Sequence, residues 1–492
     1  MSNILQKTYS GSLALLTDLY ELTMAYGFWK NNLHNKNAVF HLFFRNNPYN
    51  GGFAICCGLD YVVDFLKNFR FSGSDLSWLS TLKTNNGKPM FEHGFLKYLE
   101  NMKFECDVDA IPEGMVVFPN EPLVRVKGSI VQGQLIETAL LNFVNFQSLI
   151  ATKSARIKLA AGDNPVMEFG LRRAQGIDGA ISACRAAFIG GCMGTSNVLA
   201  GKLFDIPVLG THAHSWVQAF QSEMEAFDVF AEAMPDNTIF LVDTYHTPTG
   251  IDNAIAVAKK MLEKGYKVTG IRLDSGDLAY FSRLARQKIN DAGLGFMKIF
   301  ATNDLDEHLI ASLKQQEAAI DVWGVGTKLV TAYDQPALGG VYKLSAIETK
   351  PGHWENRIKL SEQSIKVNIP GIQQVRRFYR NGLLAGDMIF DESAPIGDEV
   401  RIIDPKDPAR RKNLDSRKTE YEDLLIPVFK NGECLYKNES LYDLQKRASS
   451  QLKLVDSAVK RFVNPHLYPV GLEENLYHKR FDLILKHKQG NY

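Results

Sequence analysis

The chain has 492 residues, 45% hydrophobic and 23% charged, the balance of a soluble globular protein with about two or three domains. Its net charge of +1 excludes the basic footprint of a nucleic-acid or anionic-membrane binder. No apolar run is long enough to span a bilayer, residues 1–7 lack a leader core, and the six cysteines (Cys56, Cys57, Cys106, Cys184, Cys192, Cys434) make no CxxC pair or zinc spacing; together these predict a reduced cytoplasm.

In chain order, Thr17 or Asp18 starts a helix whose apolar face is Leu19, Leu22, Tyr26 and Trp29. Residues 38–45 and 52–58 read as two strands joined by a turn at 46–51, residues 59–103 as helices with breaks, and 115–119 and 123–128 as further strands. This irregular mixture predicts an α+β region over residues 1–150, closed by a long helix from about 134 to 160. The character changes at 166. Short apolar runs at 166–169, 190–193, 208–210, 239–242, 268–273, 297–301 and 322–325 alternate with amphipathic stretches such as Val217, Phe220, Met224, Phe227, Ala231 and Met234. That alternation over residues 151–338 means a parallel sheet of about seven strands with right-handed crossovers. Residues 339–492 break the period: 339–347 reads as a strand leaving the barrel, 426–436 as a hairpin around Asn431-Gly432, and Arg410-Arg411-Lys412 as a solvated loop.

A doubly wound sheet and a closed barrel both fit the period. The barrel is favoured because polar groups follow nearly every strand. They are Glu168-Phe169-Gly170-Leu171-Arg172-Arg173, Gly194-Thr195-Ser196-Asn197, Thr211-His212-Ala213-His214, Asp243-Thr244-Tyr245-His246-Thr247, Arg272-Leu273-Asp274-Ser275-Gly276-Asp277, Thr302-Asn303-Asp304 and Gly324-Val325-Gly326-Thr327-Lys328. In a (β/α) barrel all of these surround one mouth. Helix capping accounts for the Asp, Ser and Thr residues, but not for Arg172, Arg272 and His214. Backbone N–H groups and hydroxyls at helix starts bind anions, and a nearby histidine serves as a base or a phosphoryl acceptor. Arg272 and Arg172 offer forks to a carboxylate or phosphate, Gly324-x-Gly326-Thr327 suits a phosphate, and Asp243, Asp274 and Asp277 suit sugar hydroxyls or magnesium as well as they suit helix caps. The set points to chemistry on a phosphorylated sugar.

These clusters, with residues 17–25, Asn303-Asp304-Leu305-Asp306-Glu307 and Leu338-Gly339-Gly340-Val341-Tyr342-Lys343-Leu344, resemble in order the nicotinate phosphoribosyltransferase family. The resemblance implies an irregular α/β barrel beside an α/β sandwich built from the N-terminal region and later segments. It implies transfer of 5-phosphoribosyl from phosphoribosyl pyrophosphate to nicotinate, coupled to ATP hydrolysis, with Mg2+ accompanying the phosphates. It further implies a homodimer with shared sites. Carried over by position, His214 is the phosphohistidine, and Arg272 holds the nicotinate carboxylate with Thr211 nearby. Phe169 and the partner chain's Tyr20 sandwich the ring, Gly326 and Thr327 take the 5-phosphate, and Asp274 and Asp243 serve the ribose and magnesium region. Arg172, Ser275 and Gly276 complete the expected substrate contacts.

Two residues each carry two readings. His212 competes with His214 for the phosphoryl role, and His214 is preferred because it fits the Ala-His-x-aromatic pattern. Ser196 either caps the following helix or donates to the nicotinate carboxylate where nicotinamide-specific relatives carry an aspartate. The alternatives are a nicotinamide-using enzyme of the same fold, a quinolinate-type enzyme and a catalytically silent nucleotide-binding barrel.

Overall fold

The computed structural model describes residues 11–362, 367–415, 417 and 419–488. It divides into two compact units: Met1–Ser148 with Ala337–Ser440 and Ser450–Tyr492, and Leu149–Pro336 with Leu441–Ser449.

The first unit carries a seven-stranded antiparallel sheet ordered His353–Asn356, Gly340–Lys350, Asn37–Phe44, Val124–Ser129, Asp107–Ala110, Ile426–Lys430, Glu433–Cys434, and a separate six-stranded sheet containing Gln373–Arg380 and Leu383–Asp391. All of Asn37–Phe44 beyond its first residue is buried, the mark of a strand covered on both faces. The expected hairpin between 38–45 and 52–58 does not form. Asn37–Phe44 already has neighbours on both edges, and the short strand Ala54–Ile55 pairs with Val116–Val117 instead. The expected strand at 339–347 is Gly340–Lys350, paired with Asn37–Phe44 in this sheet. The Asn431-Gly432 hairpin forms as expected, both residues at positive φ, with Lys430 opposite Glu433. Arg410-Arg411-Lys412 is not a loop: Arg411–Asp415 pairs with Glu399–Ile403.

The helix Leu19–Lys30 keeps most of its expected face, with Leu22 buried and Tyr26 and Trp29 packed on Phe95, but not its first turn. Leu19 is 49% and Tyr20 46% exposed, whereas Glu21 is 0% exposed and held by Thr17 and Thr138. Burial and the neighbouring Glu137 and Glu21 push the Tyr20 hydroxyl well above its ordinary pKa, so it stays a hydrogen-bond donor.

The second unit is built on parallel strands ordered Gly194–Thr195, Val166–Glu168, Val322–Val325, Lys298–Ala301, Gly270–Leu273, Ile239–Leu241. An isolated parallel bridge from Thr195 to Val208 puts a short extended segment in the place of a seventh strand, outside Gly194–Thr195 in this six-stranded sheet. Numbered by sequence, the spatial order is therefore 3-2-1-7-6-5-4. Each strand lies beside its chain neighbour, and the last lies beside the first. That is the cyclic order of a barrel, interrupted once, between the third strand at Val208 and the fourth at Ile239–Leu241. The helix Glu137–Ala161 is fixed to this unit by buried charges: within the unit, Lys153 and Arg156 bond the two oxygens of Glu307 at 2.8 and 2.7 Å.

Two expected boundaries shift. The second strand is Gly194–Thr195, not 190–193. Gly190 ends the helix Ile177–Ile189, where a Cβ would lie 2.3 Å from the Ala151 carbonyl, and Gly191 turns the chain at φ +119°. The amphipathic pattern at 217–234 is two helices, His214–Gln218 and Glu223–Ala233, separated where Ser222 caps the second.

Candidate active site

The ends of the parallel strands enclose a cavity of about 410 Å³. Phe169, Arg172, Ser196, Thr211, Arg272 and Thr327 line it, together with Asp274, Gly326 and His212. Groups drawn from six strand ends and far apart in sequence therefore meet in one place, as barrel topology dictates.

One buried carboxylate organises the floor. Glu168 ends the first strand, accepts from the Gly170 N–H with one oxygen, and takes the Thr195 hydroxyl and the Cys184 thiol on the other. Its carbonyl accepts from the Ser196 N–H at 2.9 Å. The loops carrying Phe169 and Ser196 are thus set by one residue. The Phe169 ring lies so close to Gly324 that a Cβ there would sit 2.8 Å from it. Gly326 packs likewise against the Phe169 carbonyl and opens the short helix Thr327–Val330. Ser196 does not cap its helix: Asn197 does, accepting from the Ala200 N–H at 3.2 Å. The Ser196 hydroxyl is therefore left to the cavity.

Arg272 lies in the strand Gly270–Leu273. One of its terminal nitrogens donates to the His212 carbonyl at 3.2 Å, and its buried Nε has no protein partner. Burial lowers its pKa against the pull of the nearby Asp274 and Asp243, and a guanidinium so placed stays charged. A half-buried cation that lines the cavity and keeps an N–H unpaired by protein is suited to an anion.

Asp243 accepts the Asp274 N–H at 2.8 Å and the Ser275 hydroxyl at 2.7 Å on one oxygen, while its other oxygen is buried without a partner. Asp274 takes the Thr302 hydroxyl on one oxygen, and its other lies 3.8 Å from His214 Nε2. His214 opens the helix His214–Gln218, with Nδ1 3.1 Å from the Thr244 hydroxyl. His214, Asp243, Ser275 and Gly276 stand behind or beside the cavity wall rather than in its lining; Gly276 makes the positive-φ turn before Asp277, which caps the next helix. Tyr20 belongs to the other unit.

His212 differs from His214 in kind. It is buried, its Nε2 accepts the Leu241 N–H at 3.2 Å, and its Nδ1 faces the Ala213 carbonyl at 3.4 Å. Burial lowers its pKa to about 4, so it is neutral at physiological pH. An imidazole with both nitrogens engaged does not accept a phosphoryl group, and this separates the two histidines.

The sequence assigned no role to several residues that the structure brings here. Asn303 and Asp304 line the cavity at φ +90° and +41°, left-handed positions that non-glycine residues adopt at a cost. Arg173 and Leu171 also line it, and Thr244 orients His214. Asn303-Asp304 was visible as a polar strand end; Thr244 carried no signal beyond its place after Asp243.

Parallel strands in barrel order, with an arginine, a Gly-Thr helix start and a histidine gathered at their ends, have the layout of a (β/α) barrel enzyme. Comparison with known proteins makes this specific. Three family models match in succession: the nicotinate phosphoribosyltransferase (NAPRTase) N-terminal domain over residues 15–145, the NAPRTase family over 165–366 and the C-terminal domain over 372–480. A nicotinate phosphoribosyltransferase of Bacillus subtilis is 45% identical over 96% of this chain and 95% of its own length, and one of Dictyostelium discoideum is 38% identical over 96% and 88%. The crystal structure of human nicotinic acid phosphoribosyltransferase superposes with a TM-score of 0.83 at 30% identity, covering 95% of this chain and 99% of the human one. The chain belongs to the nicotinate phosphoribosyltransferase family.

Proposed function

We propose that the barrel mouth joins nicotinate to the 5-phosphoribosyl group of phosphoribosyl pyrophosphate, with ATP spent through a phosphohistidine at His214. The chain is an enzyme of NAD biosynthesis that makes nicotinate mononucleotide. The observation carrying the site assignment is Arg272, a half-buried guanidinium lining the cavity whose inner Nε has no protein partner.

In this scheme Arg272 and the Ser196 hydroxyl take the nicotinate carboxylate, with Thr211 beside them, and Phe169 supports the ring by offset stacking. Gly326 and Thr327 bind the 5-phosphate at a helix start, and Arg172 meets a further phosphate oxygen. The ribose C1–oxygen bond to pyrophosphate breaks as the pyridine nitrogen lone pair forms the new C1–N bond. No proton moves, so the protein's task is alignment and stabilisation of the departing pyrophosphate charge. In the ATP step a His214 nitrogen attacks the γ-phosphorus and ADP leaves; water later cleaves the N–P bond to phosphate. Thr244 engages Nδ1, which presents Nε2 beside Asp274 as the nucleophile. Mg2+ arriving on phosphates keeps most of its waters and needs only one or two carboxylates. Asp274 and Asp243 would hold it, and the ion would neutralise phosphate charge; Ser275 and Gly276 shape the Asp243 loop.

The active species is a homodimer. Val198 is 70% exposed, and Leu199, Leu203, Val208 and Leu209 are exposed near it on the barrel unit beside Ser196. On the other unit Leu16, Leu19, Tyr20 and Met24 face outward while Glu21 is buried. Apolar surface of this kind marks an interface, and a second copy supplies Tyr20 to the nicotinate ring. No helix among the described residues is long and apolar enough to cross a membrane, and all six cysteines are free thiols, in keeping with a cytoplasmic enzyme. The test is pyrophosphate release from phosphoribosyl pyrophosphate with nicotinate, nicotinamide and quinolinate in turn. Release with nicotinate alone is expected; equal or faster release with either of the others overturns the assignment.

A further inference from the structure

We infer that the His212 side chain is the seam of this barrel and a positioning residue for Arg272. The parallel ladder is interrupted between the Val208 strand and Ile239–Leu241. Val242 N–H bonds to the Arg272 carbonyl on the paired side of that fourth strand, so by alternation the Leu241 N–H faces the open edge. There it would be a buried donor with no strand to meet, which destabilises a fold. His212 Nε2 takes it at 3.2 Å, doing with a ring nitrogen what a neighbouring strand does with a carbonyl. Three further contacts fix the ring and its backbone. Nδ1 lies 3.4 Å from the Ala213 carbonyl, and the Phe230 ring lies edge-on at 4.8 Å. The His212 carbonyl accepts the Arg272 guanidinium from the fifth strand. One residue therefore stitches the fourth strand with its side chain and aims the fifth strand's cation with its main chain. His41 makes the same use of an imidazole in the other unit, accepting the Gln373 N–H on Nε2 at 3.2 Å.

This inference rests on Arg272 as the nicotinate anchor. A Gln at 212 places an acceptor where Nε2 stands, a Leu fills the volume without an acceptor, and an Asn is polar but too short to reach. The experiment measures kcat and nicotinate KM at saturating phosphoribosyl pyrophosphate and ATP for purified full-length His212→Gln, His212→Leu and His212→Asn. Nicotinate KM should rise about tenfold or more in the Leu and Asn variants with kcat within about threefold, while the Gln variant stays within about threefold of wild type in both. A Gln variant as impaired as Leu, a Leu variant with wild-type KM, or a loss confined to kcat overturns the seam. If the Leu and Asn variants do not fold, a folded Gln variant supports it; failure of all three to fold contradicts it, because Gln keeps the acceptor. Arg272→Leu separates the two layers. If it leaves nicotinate KM unchanged, the anchor assignment fails; if it raises KM while His212→Leu does not, the seam alone fails.

Discussion

Gly324→Ala tests whether Phe169 supports the substrate ring. Gly324 lies in the strand Val322–Val325, and its φ is not positive, so alanine costs the backbone nothing. The added Cβ would meet Phe169 Cδ2 at 2.8 Å and Thr302 Cγ2 at 2.6 Å. Carbon atoms rest at about 3.5–4.0 Å, so the ring or the threonine must yield by roughly 1 Å. Neither is a flexible chain end, and overpacking of this kind costs about 1–3 kcal/mol of stability. A displacement of about 1 Å at a reacting centre costs about a hundredfold in rate. The variant should fold with a lowered melting temperature and lose about 10- to 100-fold in kcat/KM for nicotinate. Phosphoryl labelling by ATP should persist, because His214 does not touch Phe169. The assay is steady-state kinetics with nicotinate varied, alongside thermal unfolding. Unchanged nicotinate KM and kcat in both Gly324→Ala and a folded Phe169→Ala variant would refute Phe169 as the platform.

Ser196→Asp puts a carboxylate against the nicotinate carboxylate; at about 4 Å the repulsion is roughly 1–4 kcal/mol between water-like and protein-surface screening, or about tenfold to several hundredfold. The specificity constants for nicotinate and nicotinamide should shift towards nicotinamide, and an unaltered ratio would sink the charge assignment. Tyr20→Ala and His214→Ala, each inactive, should regain activity when mixed and allowed to exchange subunits; no recovery with exchange confirmed would mean each site lies in one chain. His212 predicts an acid signature. Its pKa is about 4 when folded against about 6.5 unfolded, so between those values the unfolded state binds more protons. Its contribution is present above pH 6.5 and lost as pH falls to about 4, by about 3 kcal/mol, so His212→Gln should flatten denaturant-measured stability across that window; an identical slope in both proteins would contradict a neutral buried His212.

The alternation that makes the barrel was legible because each strand is short, apolar and followed by a polar turn. The clustering of Phe169, Ser196, Arg272 and Thr327 followed from topology alone, since strand ends share a mouth whatever their spacing in sequence. What sequence could not supply was the direction of individual side chains. Ser196 and Asn197 are equally good caps on paper, and only the backbone turn gives the bond to Asn197. Gly190-Gly191 looks like part of a strand run, yet it ends a helix because backbone from another helix approaches too closely for any Cβ. The apolar 3.6-residue pattern of Leu19, Leu22 and Tyr26 was real, but part of that face looks outward, since Thr17 and Thr138 offer Glu21 the hydrogen bonds that let it turn inward. His212 is the clearest case. A histidine before a helix resembles a catalytic group, and its use as a strand edge depends on a gap between two strands that no local pattern encodes.

In the proposed reaction ATP is spent through His214. Wild-type protein incubated with γ-labelled ATP and Mg2+ should take up acid-labile, base-stable label, and His214→Ala should lose the label together with ATP stimulation of nicotinate mononucleotide synthesis. His212→Gln, in the same experiment, should keep both. Label that persists in His214→Ala, or that disappears with His212→Gln, would contradict the account.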